Sequence, residues 1–120
     1  GVILAARALL RHLRRSRYRR AAQRELMQAL RSAKDSGDAA AFLAEASAIL
    51  RRAALCRYPR TRVAALHGTA WLRFLDESAR MHGFASGAGV ALGTAAYAPA
   101  PACDPDAVAA LCHDWLRRHR

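Results

Sequence analysis

The residues of this chain that could bind a metal are its cysteines and histidines, which are the usual ligands of zinc. Of these, Cys103, Cys112 and His113 come near one another in the sequence. The three cysteines show no CxxC spacing, and Cys112 falls on the apolar stripe of a predicted helix, where cysteine usually acts as a small hydrophobic residue. We therefore predict no metal site, no disulfide framework and no cofactor. An odd number of cysteines also favours a reducing compartment.

Residues that could perform acid–base or nucleophilic catalysis are present but poorly arranged. Asp76 and Glu77 are neighbours, and neighbours on a helix point to different sides, so we interpret both as solvated. His67 precedes Gly68 at a predicted helix end, with no nucleophile in view. The segment SGAG at 86–89 lacks the Lys-Ser/Thr ending of a phosphate-binding loop, and we interpret it as a turn. We predict that the protein is not an enzyme; a small enzyme using His67 or a cysteine is the least favoured alternative.

The strongest chemical signal is positive charge near the N-terminus. The segment RALLRHLRRSRYRR, residues 7–20, holds seven arginines and no acid in a chain whose net charge is +11. Such a segment can bind an anionic membrane surface, a nucleic acid or an acidic partner, although a charge run is often only a solvated face. We predict that these arginines lie next to a membrane: Arg7, Arg11, Arg14, Arg15, Arg17, Arg19 and Arg20.

The aromatic residues argue against nucleic acid as the partner. Surfaces that bind single strands interleave basic residues with aromatic rings on which bases stack. Here Trp71, Phe74 and Trp115 lie on the apolar faces of predicted helices, and Tyr18 is the single aromatic residue within the arginine run. Nucleic acid is therefore the runner-up.

The apolar residues that precede and interrupt the arginines favour lipid. The chain begins within the apolar run VILAA and without a methionine, and Leu9, Leu10 and Leu13 follow. Arg7 and Arg11 interrupt this stretch, which is too short to cross a bilayer, since a span needs about 20 apolar residues. We expect residues 1 to about 12 to be the cytoplasmic end of a spanning helix that starts upstream, with arginines at its exit.

The remaining sequence predicts an all-α fold. Alanine, leucine and arginine dominate the composition, and all three are strong helix formers. The start and stop signals predict a long first helix that ends at Ser36-Gly37, a second from Asp38 to Pro59, the short helix VAALH after Thr61, a fourth between Thr69 and Gly83, and a last one that starts at Asp104-Pro105. Residues 84–103 should be mostly loop, with a helical turn around Val90–Leu92.

The predicted helices share one apolar core. In the first helix Ala22, Leu26, Leu30 and Ala33 recur every three to four residues. Large apolar side chains concentrate on one side of the fourth helix, which we predict to be the core centre. The predicted core residues are Phe42, Ile49, Trp71, Phe74, Leu75, Leu111 and Trp115.

Several longer runs resemble a family of small bacterial membrane proteins of unknown function. They are RRAALCRYP at 51–59, HGTAWLRFLD at 67–76, the Tyr97-Ala-Pro99 motif, and W-x-x-x-H from Trp115 to His119. The similar proteins are encoded in operons with MoxR-type AAA+ ATPases and Bat-type von Willebrand factor A-domain proteins. They have one transmembrane helix, an arginine-rich exit and a helical cytoplasmic domain.

The resemblance implies a division of the chain and a role. Residues 1–20 would be the juxtamembrane end of a transmembrane helix with its basic exit, and 21–120 a cytoplasmic helical domain. The expected fold is a long N-terminal helix, the cytoplasmic end of a truncated transmembrane helix, followed by a compact bundle of three to four helices. The protein would be a non-catalytic accessory or scaffold at the bacterial inner membrane, for the ATPase and A-domain assembly. The expected partners are anionic lipids and those two proteins.

Overall fold

The computed structural model describes residues 1–93 and 103–120, and the fold is all-α, as predicted. A long N-terminal helix is followed by a compact helical bundle, and the described residues contain no strand. The Tyr97-Ala-Pro99 motif lies outside the described residues. The elements in chain order are α1 (Val2–Ser36), α2 (Ala39–Arg57), α3 (Arg60–Val63), α4 (Gly68–Ala79), α5 (Gly83–Ser86), a 3-10 helix (Ala88–Gly93) and α6 (Pro105–Arg118).

The predicted boundaries of the three longest helices are confirmed. Gly37 ends α1 in the left-handed conformation, at φ 73°, where glycine has no Cβ to clash. The Asp38 carboxylate accepts a hydrogen bond from the Ala41 N–H and so caps α2, and Pro59 follows the end of that helix. Asp104 likewise accepts from the Asp106 N–H at the start of α6.

The end of α4 differs from the prediction. The helix ends at Ala79 instead of running to Gly83, because Arg80 takes the left-handed conformation at φ 53°. The Met81 N–H then donates to the Asp76 carbonyl and the Arg80 N–H to the Glu77 carbonyl, the paired bonds of a Schellman motif. This turn buries the Met81 side chain, which offsets the cost of about 1–2 kcal/mol for a left-handed non-glycine residue.

The bounds of α3 and the start of α4 also differ from the prediction. Pro59, and not Thr61, precedes α3, which is the single turn Arg60–Val63 instead of VAALH. Gly68 begins α4 at φ 51° and does not close the preceding helix. Glycine tolerates the positive φ, so α4 can begin here after the short connection from α3.

The interpretation of Asp76 as solvated was wrong. Its carboxylate is half-buried and accepts hydrogen bonds from the Phe84 and Ala85 N–H groups, at 3.0 and 2.9 Å. Asp76 therefore holds the first turn of α5, a helix that the sequence did not predict. The helical turn expected around Val90–Leu92 is present as the 3-10 helix.

Glycine in the SGAG segment permits close packing of the chain. A Cβ at Gly89 would lie 2.8 Å from a ring carbon of Phe84 and 2.9 Å from the Phe84 Cα. Since real Cβ atoms do not approach so closely, only glycine fits there without a shift. The segment packs the 3-10 helix onto α5.

The core lies where α1, α2, α4 and α6 meet, and α4 contributes its centre. The Trp71 and Phe74 rings stack with centroids 5.7 Å apart, and the Trp115 indole N–H donates to the Ser78 hydroxyl at 2.9 Å. Leu111 is half-buried and packs over Gly83 at the edge of the core. The other predicted core residues are buried: Phe42, Ile49, Trp71, Phe74, Leu75 and Trp115.

Truncation of the central tryptophan should be strongly destabilising. We expect Trp71→Ala to lower the free energy of unfolding by about 3–5 kcal/mol, because it leaves a large cavity, and because the Arg51 guanidinium, 4.2 Å from the ring centroid, loses its stacking partner. Urea denaturation followed by circular dichroism measures this. Met27→Ala on the exposed side of α1 is the control and should change stability by about 0.5 kcal/mol or less. Equal effects of the two substitutions would contradict this placement of the core.

Candidate functional site

The first part of α1 projects beyond the bundle, and Arg11, Arg14 and Arg15 border the end of α2. Every residue from 1 to 15 is exposed, including Val2 at 86% and Leu9 at 59% of the full residue surface. A helix of 35 residues is about 52 Å long, which matches the 55 Å long dimension of the molecule. We call residues 2–15 the N-terminal overhang. It carries six of the eight large hydrophobic residues that are exposed in the described chain.

The overhang has two faces, and their direction relative to the bundle is set by helical spacing. The buried side of α1 includes Ala22, and steps of three to four residues toward the N-terminus lead from there through Tyr18 to Arg15 and Arg11. The arginines therefore continue the face of α1 that packs on the bundle. Leu9 and Leu13 stand two residues before Arg11 and Arg15, and two residues turn a helix by about 200°. The leucines thus point away from the bundle.

Two side chains at the base of the overhang attach α1 to the end of α6. The Tyr18 hydroxyl lies 2.6 Å from Nε2 of His119. The Arg19 guanidinium donates to the carbonyls of Arg117, at 3.2 Å, and His119, at 2.8 Å. These carbonyls belong to the C-terminal end of α6, where a helix carries partial negative charge, so a cation there is stabilising. The direction of the overhang is therefore fixed by contacts more than 90 residues apart in sequence.

A second attachment lies one turn further along α1. The Gln23 side chain donates to the His113 carbonyl at 3.1 Å, and its Oε1 lies 2.8 Å from Nδ1 of the same histidine. Below this point Leu26 and Leu30 are buried against α2 and α6. Polar contacts at the exposed end and apolar packing at the buried end hold α1 in one position.

His119 is the buried polar residue of this junction, with only 1% of its surface exposed. Its ring stacks on Trp115 at 4.1 Å and an interplanar angle of 6°. Nδ1 lies 2.8 Å from the Trp115 carbonyl, which can only accept, so Nδ1 carries the proton and Nε2 accepts from the Tyr18 O–H. Burial lowers the pKa of His119 to about 4, and the nearby positive charges of Arg19 and Arg57 act in the same direction. The neutral ring is therefore the form that the fold requires.

The predicted membrane-proximal arginines are not equivalent in the structure. Arg19 is half-buried and is used to hold α6, so it does not belong with the others on an exposed surface. Arg15 is exposed but also lines a pocket between the helices. The remaining arginines of the set are exposed: Arg7, Arg11, Arg14, Arg17 and Arg20.

The residues considered for catalysis or metal binding are dispersed. Within residues 1–93 and 103–120, no three histidine, cysteine, aspartate or glutamate side chains lie together in a way that could hold a metal ion. Burial raises the pKa of the Cys112 thiol to about 12, and burial together with Asp104 raises the pKa of Cys103. Cys112 is therefore a protonated core residue. His67 is exposed at the start of α4.

Two residues at the centre of these contacts were not singled out from the sequence. His119 was named only as the end of the W-x-x-x-H run, although a tryptophan four residues earlier places it on the same helix face. The Arg51 guanidinium donates to the Val63 and Leu66 carbonyls, at 3.1 and 3.0 Å, and covers the Trp71 ring. Burial lowers the pKa of Arg51. Both residues join segments that are distant in the sequence, and local spacing carries no signal for that.

Fold and site together define an all-α bundle that carries a projecting, arginine-rich amphipathic helix. The chain belongs to a family described as a domain of unknown function (DUF4381), whose model matches residues 1–118. No match was found among curated proteins or among solved structures. In the part of the chain that the structure describes, none of the helices combines the length and the apolar character needed to cross a bilayer.

The buried histidine predicts a specific dependence of stability on pH. In the unfolded chain His119 should have a pKa near its ordinary 6.5, and in the fold the pKa is about 4. Its contribution to stability is therefore complete above the unfolded value and is lost as the pH falls from about 6.5 to about 4, because only the unfolded chain then binds the proton.

Urea denaturation at a series of pH values between these limits measures the effect. We expect His119→Gln to be less stable than the parent at neutral pH and to lose less stability on acidification. His67→Gln, at an exposed position, should follow the parent. The same acid slope in the parent and in His119→Gln would show that His119 is not the titrating group.

Proposed function

We propose that the protein is a membrane-anchored, non-catalytic accessory or scaffold for an assembly of a MoxR-type AAA+ ATPase and von Willebrand factor A-domain proteins. The single observation that carries the membrane part of this proposal is the N-terminal overhang, which exposes apolar and arginine side chains on a helix that nothing in the described chain covers. The named partners rest on the resemblance of residues 51–59, 67–76 and 115–119 to proteins encoded beside them.

The order of residues along the overhang fits a helix that leaves a bilayer. Residues 2–6, VILAA, are apolar around the whole circumference, as hydrocarbon requires. From Arg7 onward the helix is amphipathic, as the headgroup region favours. The first arginines lie about 4–10 Å beyond Leu4 at 1.5 Å per residue, a distance comparable to a headgroup layer of about 5–8 Å.

The energetic balance favours an anionic bilayer as the surface that covers the overhang. Each arginine near such a surface contributes on the order of 1 kcal/mol. Burial of exposed leucines contributes further, at about 25 cal/mol per Å² of apolar surface. In the proposed arrangement the protein has one span in the bacterial inner membrane, and the bundle faces the cytoplasm, since arginine-rich flanks are retained there.

The structure of the junction weakens the nucleic-acid alternative. Tyr18 is the single aromatic residue in the arginine run, and its ring is half-buried with its hydroxyl bound to His119. It is therefore not available as a platform for a base. Nucleic acid could gain only the charge attraction, which falls steeply as salt rises.

Membrane binding should depend on the leucine face. We expect the protein to bind vesicles of phosphatidylcholine and phosphatidylglycerol, and part of this binding should persist at high salt, because insertion of Leu9, Leu10 and Leu13 is not screened. Replacing the three leucines with serine should weaken binding in a vesicle flotation assay. The control is a triple substitution to serine of exposed alanines away from the overhang: Ala41 and Ala44 in α2, and Ala64 just after α3. Tight binding of a particular DNA or RNA sequence at physiological salt, without vesicle binding, would instead support the alternative.

The orientation is tested in cells with the full-length protein. A fluorescent-protein fusion at the C-terminus should be bright in the membrane fraction, because we expect this end to stay in the cytoplasm. An alkaline phosphatase fusion at the same position should be inactive, since that enzyme requires the periplasm. Active phosphatase together with a dark fluorescent fusion would reverse the proposed topology.

A further inference from the structure

A second basic surface, separate from the leucine face, lies beneath the overhang. A pocket of about 860 Å³ opens where α2, α4 and α6 end, and eight arginines line it together with one acid, Glu77. Helix α1 contributes Arg15 and Arg19 to its wall, and the ends of α2 and α4 contribute Arg57 and Arg80. Arginines that are far apart in the sequence are thus gathered around one space.

The protein itself neutralises only part of this charge. The pocket lies at three helix C-termini, each worth roughly half a negative charge. Glu77 supplies one more, and Arg117 pairs with Asp114 at 3.5 Å, the one ion pair that any pocket arginine forms among the described residues. At least three of the eight positive charges remain without compensation. Such a concentration of like charge opposes folding unless something else balances it.

Structural roles account for some of these arginines but not for all. Arg19 and Arg118 donate to main-chain carbonyls, and Arg62 packs on the rings of Tyr58 and Phe74. In contrast, the guanidinium groups of Arg15 and Arg80 make no hydrogen bond or ion pair within residues 1–93 and 103–120.

Two further features of the pocket suggest preparation for a ligand. Nε of Arg19 is buried at the pocket without a hydrogen-bond partner. Arg80, the single non-glycine residue of the described chain with positive φ, also lines the pocket. Strained backbone and unpaired polar groups commonly occur at binding sites, where a ligand supplies the missing interaction.

From this arrangement we infer that the pocket binds an anion with two or more phosphate charges, such as a diphosphate or a phosphomonoester headgroup. The planar guanidinium fork matches the spacing of phosphate oxygens and can bind them in pairs. A single carboxylate would leave most of the excess charge in place, whereas a phosphate-bearing group with several charges would balance it. The pocket volume lies within the usual range for small-molecule sites, about 300–1,000 Å³.

The phosphate can come from a soluble molecule or from a lipid headgroup. Which source can reach the pocket depends on the distance of the pocket from the membrane along α1. Arg15 lies eleven residues, about 16 Å, beyond Leu4 along the helix, which exceeds a headgroup layer of about 5–8 Å. An upright α1 therefore places the pocket in water, and a strongly tilted one places it against headgroups. This inference does not depend on the proposed function, since the pocket is formed by the bundle and the base of α1.

The test compares two triple variants of equal charge. The pocket variant is Arg57→Gln, Arg62→Gln and Arg80→Gln, and the surface variant replaces three exposed arginines outside the pocket, Arg24, Arg31 and Arg73, with glutamine. A third variant carries lysine at 57, 62 and 80, which keeps the charge but removes the fork. Melting temperatures without added anion establish that each variant is folded.

Calorimetric titration with inorganic pyrophosphate at physiological salt tests the soluble source. We expect the parent and the surface variant to bind with similar affinity, the pocket variant to bind about tenfold more weakly or worse, and the lysine variant to lie between them. Flotation with phosphatidylcholine vesicles containing phosphatidic acid, with phosphatidylglycerol as the lipid of lower headgroup charge, tests the lipid source with the same variants. The overhang is identical in all variants, so its attraction to the vesicles does not contribute to the differences between them.

Weakening confined to the pocket variant in either assay supports the inference and identifies the source. Equal behaviour of the pocket and surface variants with both probes would overturn it. Because the leucine face is untouched, loss of vesicle binding in the Leu9, Leu10 and Leu13 variant would leave the pyrophosphate result unchanged. Failure of the proposed function and failure of this inference are thus distinguishable.

Discussion

The structure depends on one buried contact between α1 and the end of α6. The His119 ring stacks on Trp115 and is hydrogen-bonded to Tyr18. Its two ring nitrogens are both engaged, one with the Trp115 carbonyl and the other with the Tyr18 hydroxyl, and its own carbonyl accepts from Arg19. Because these partners lie on α1 and α6, the contact sets the angle at which the overhang leaves the bundle. The ring must stay neutral for this, and burial among positive charges keeps it so.

Electrostatics explains why so many arginines are compatible with this fold. Some make hydrogen bonds within the protein. Arg51 donates to carbonyls of the connection before α4, and Arg19 and Arg118 donate to carbonyls at helix ends. Others lie along the exposed overhang, where water or a lipid surface solvates them. Arg57 and Arg80 line the pocket and form a third group, since among the described residues neither guanidinium donates to a carbonyl and neither residue lies on the overhang. The two proposals therefore concern different surfaces. The leucine face is proposed to meet a membrane, and the pocket is proposed to bind a phosphate-bearing anion.

Sequence patterns predicted what depends on local spacing. The apolar row through Leu26, the Gly37 stop and the Asp38 and Asp104 caps each involve residues within a few positions of one another, and the structure places them as expected. The misplaced elements depend on distant contacts. Helix α4 ends early because Met81 finds a buried site, and α5 exists because the Asp76 carboxylate holds its first N–H groups. The pocket could not be foreseen, since its arginines come from four helices and from the residues that follow α4 and α6, which only the tertiary fold brings together.

The central claim, that the overhang is the surface by which the protein meets a bilayer, is tested most directly by the depth of its residues. Nitroxide labels at Leu4→Cys, Leu9→Cys and Arg15→Cys, in a background with Cys56 and the partly exposed Cys103 replaced by serine, report accessibility to oxygen and to a water-soluble nickel complex by electron paramagnetic resonance. In anionic vesicles we expect the label at 4 to be deepest, the label at 9 intermediate and the label at 15 in water. Equal exposure of all three labels to the nickel complex in the presence of vesicles would contradict the account.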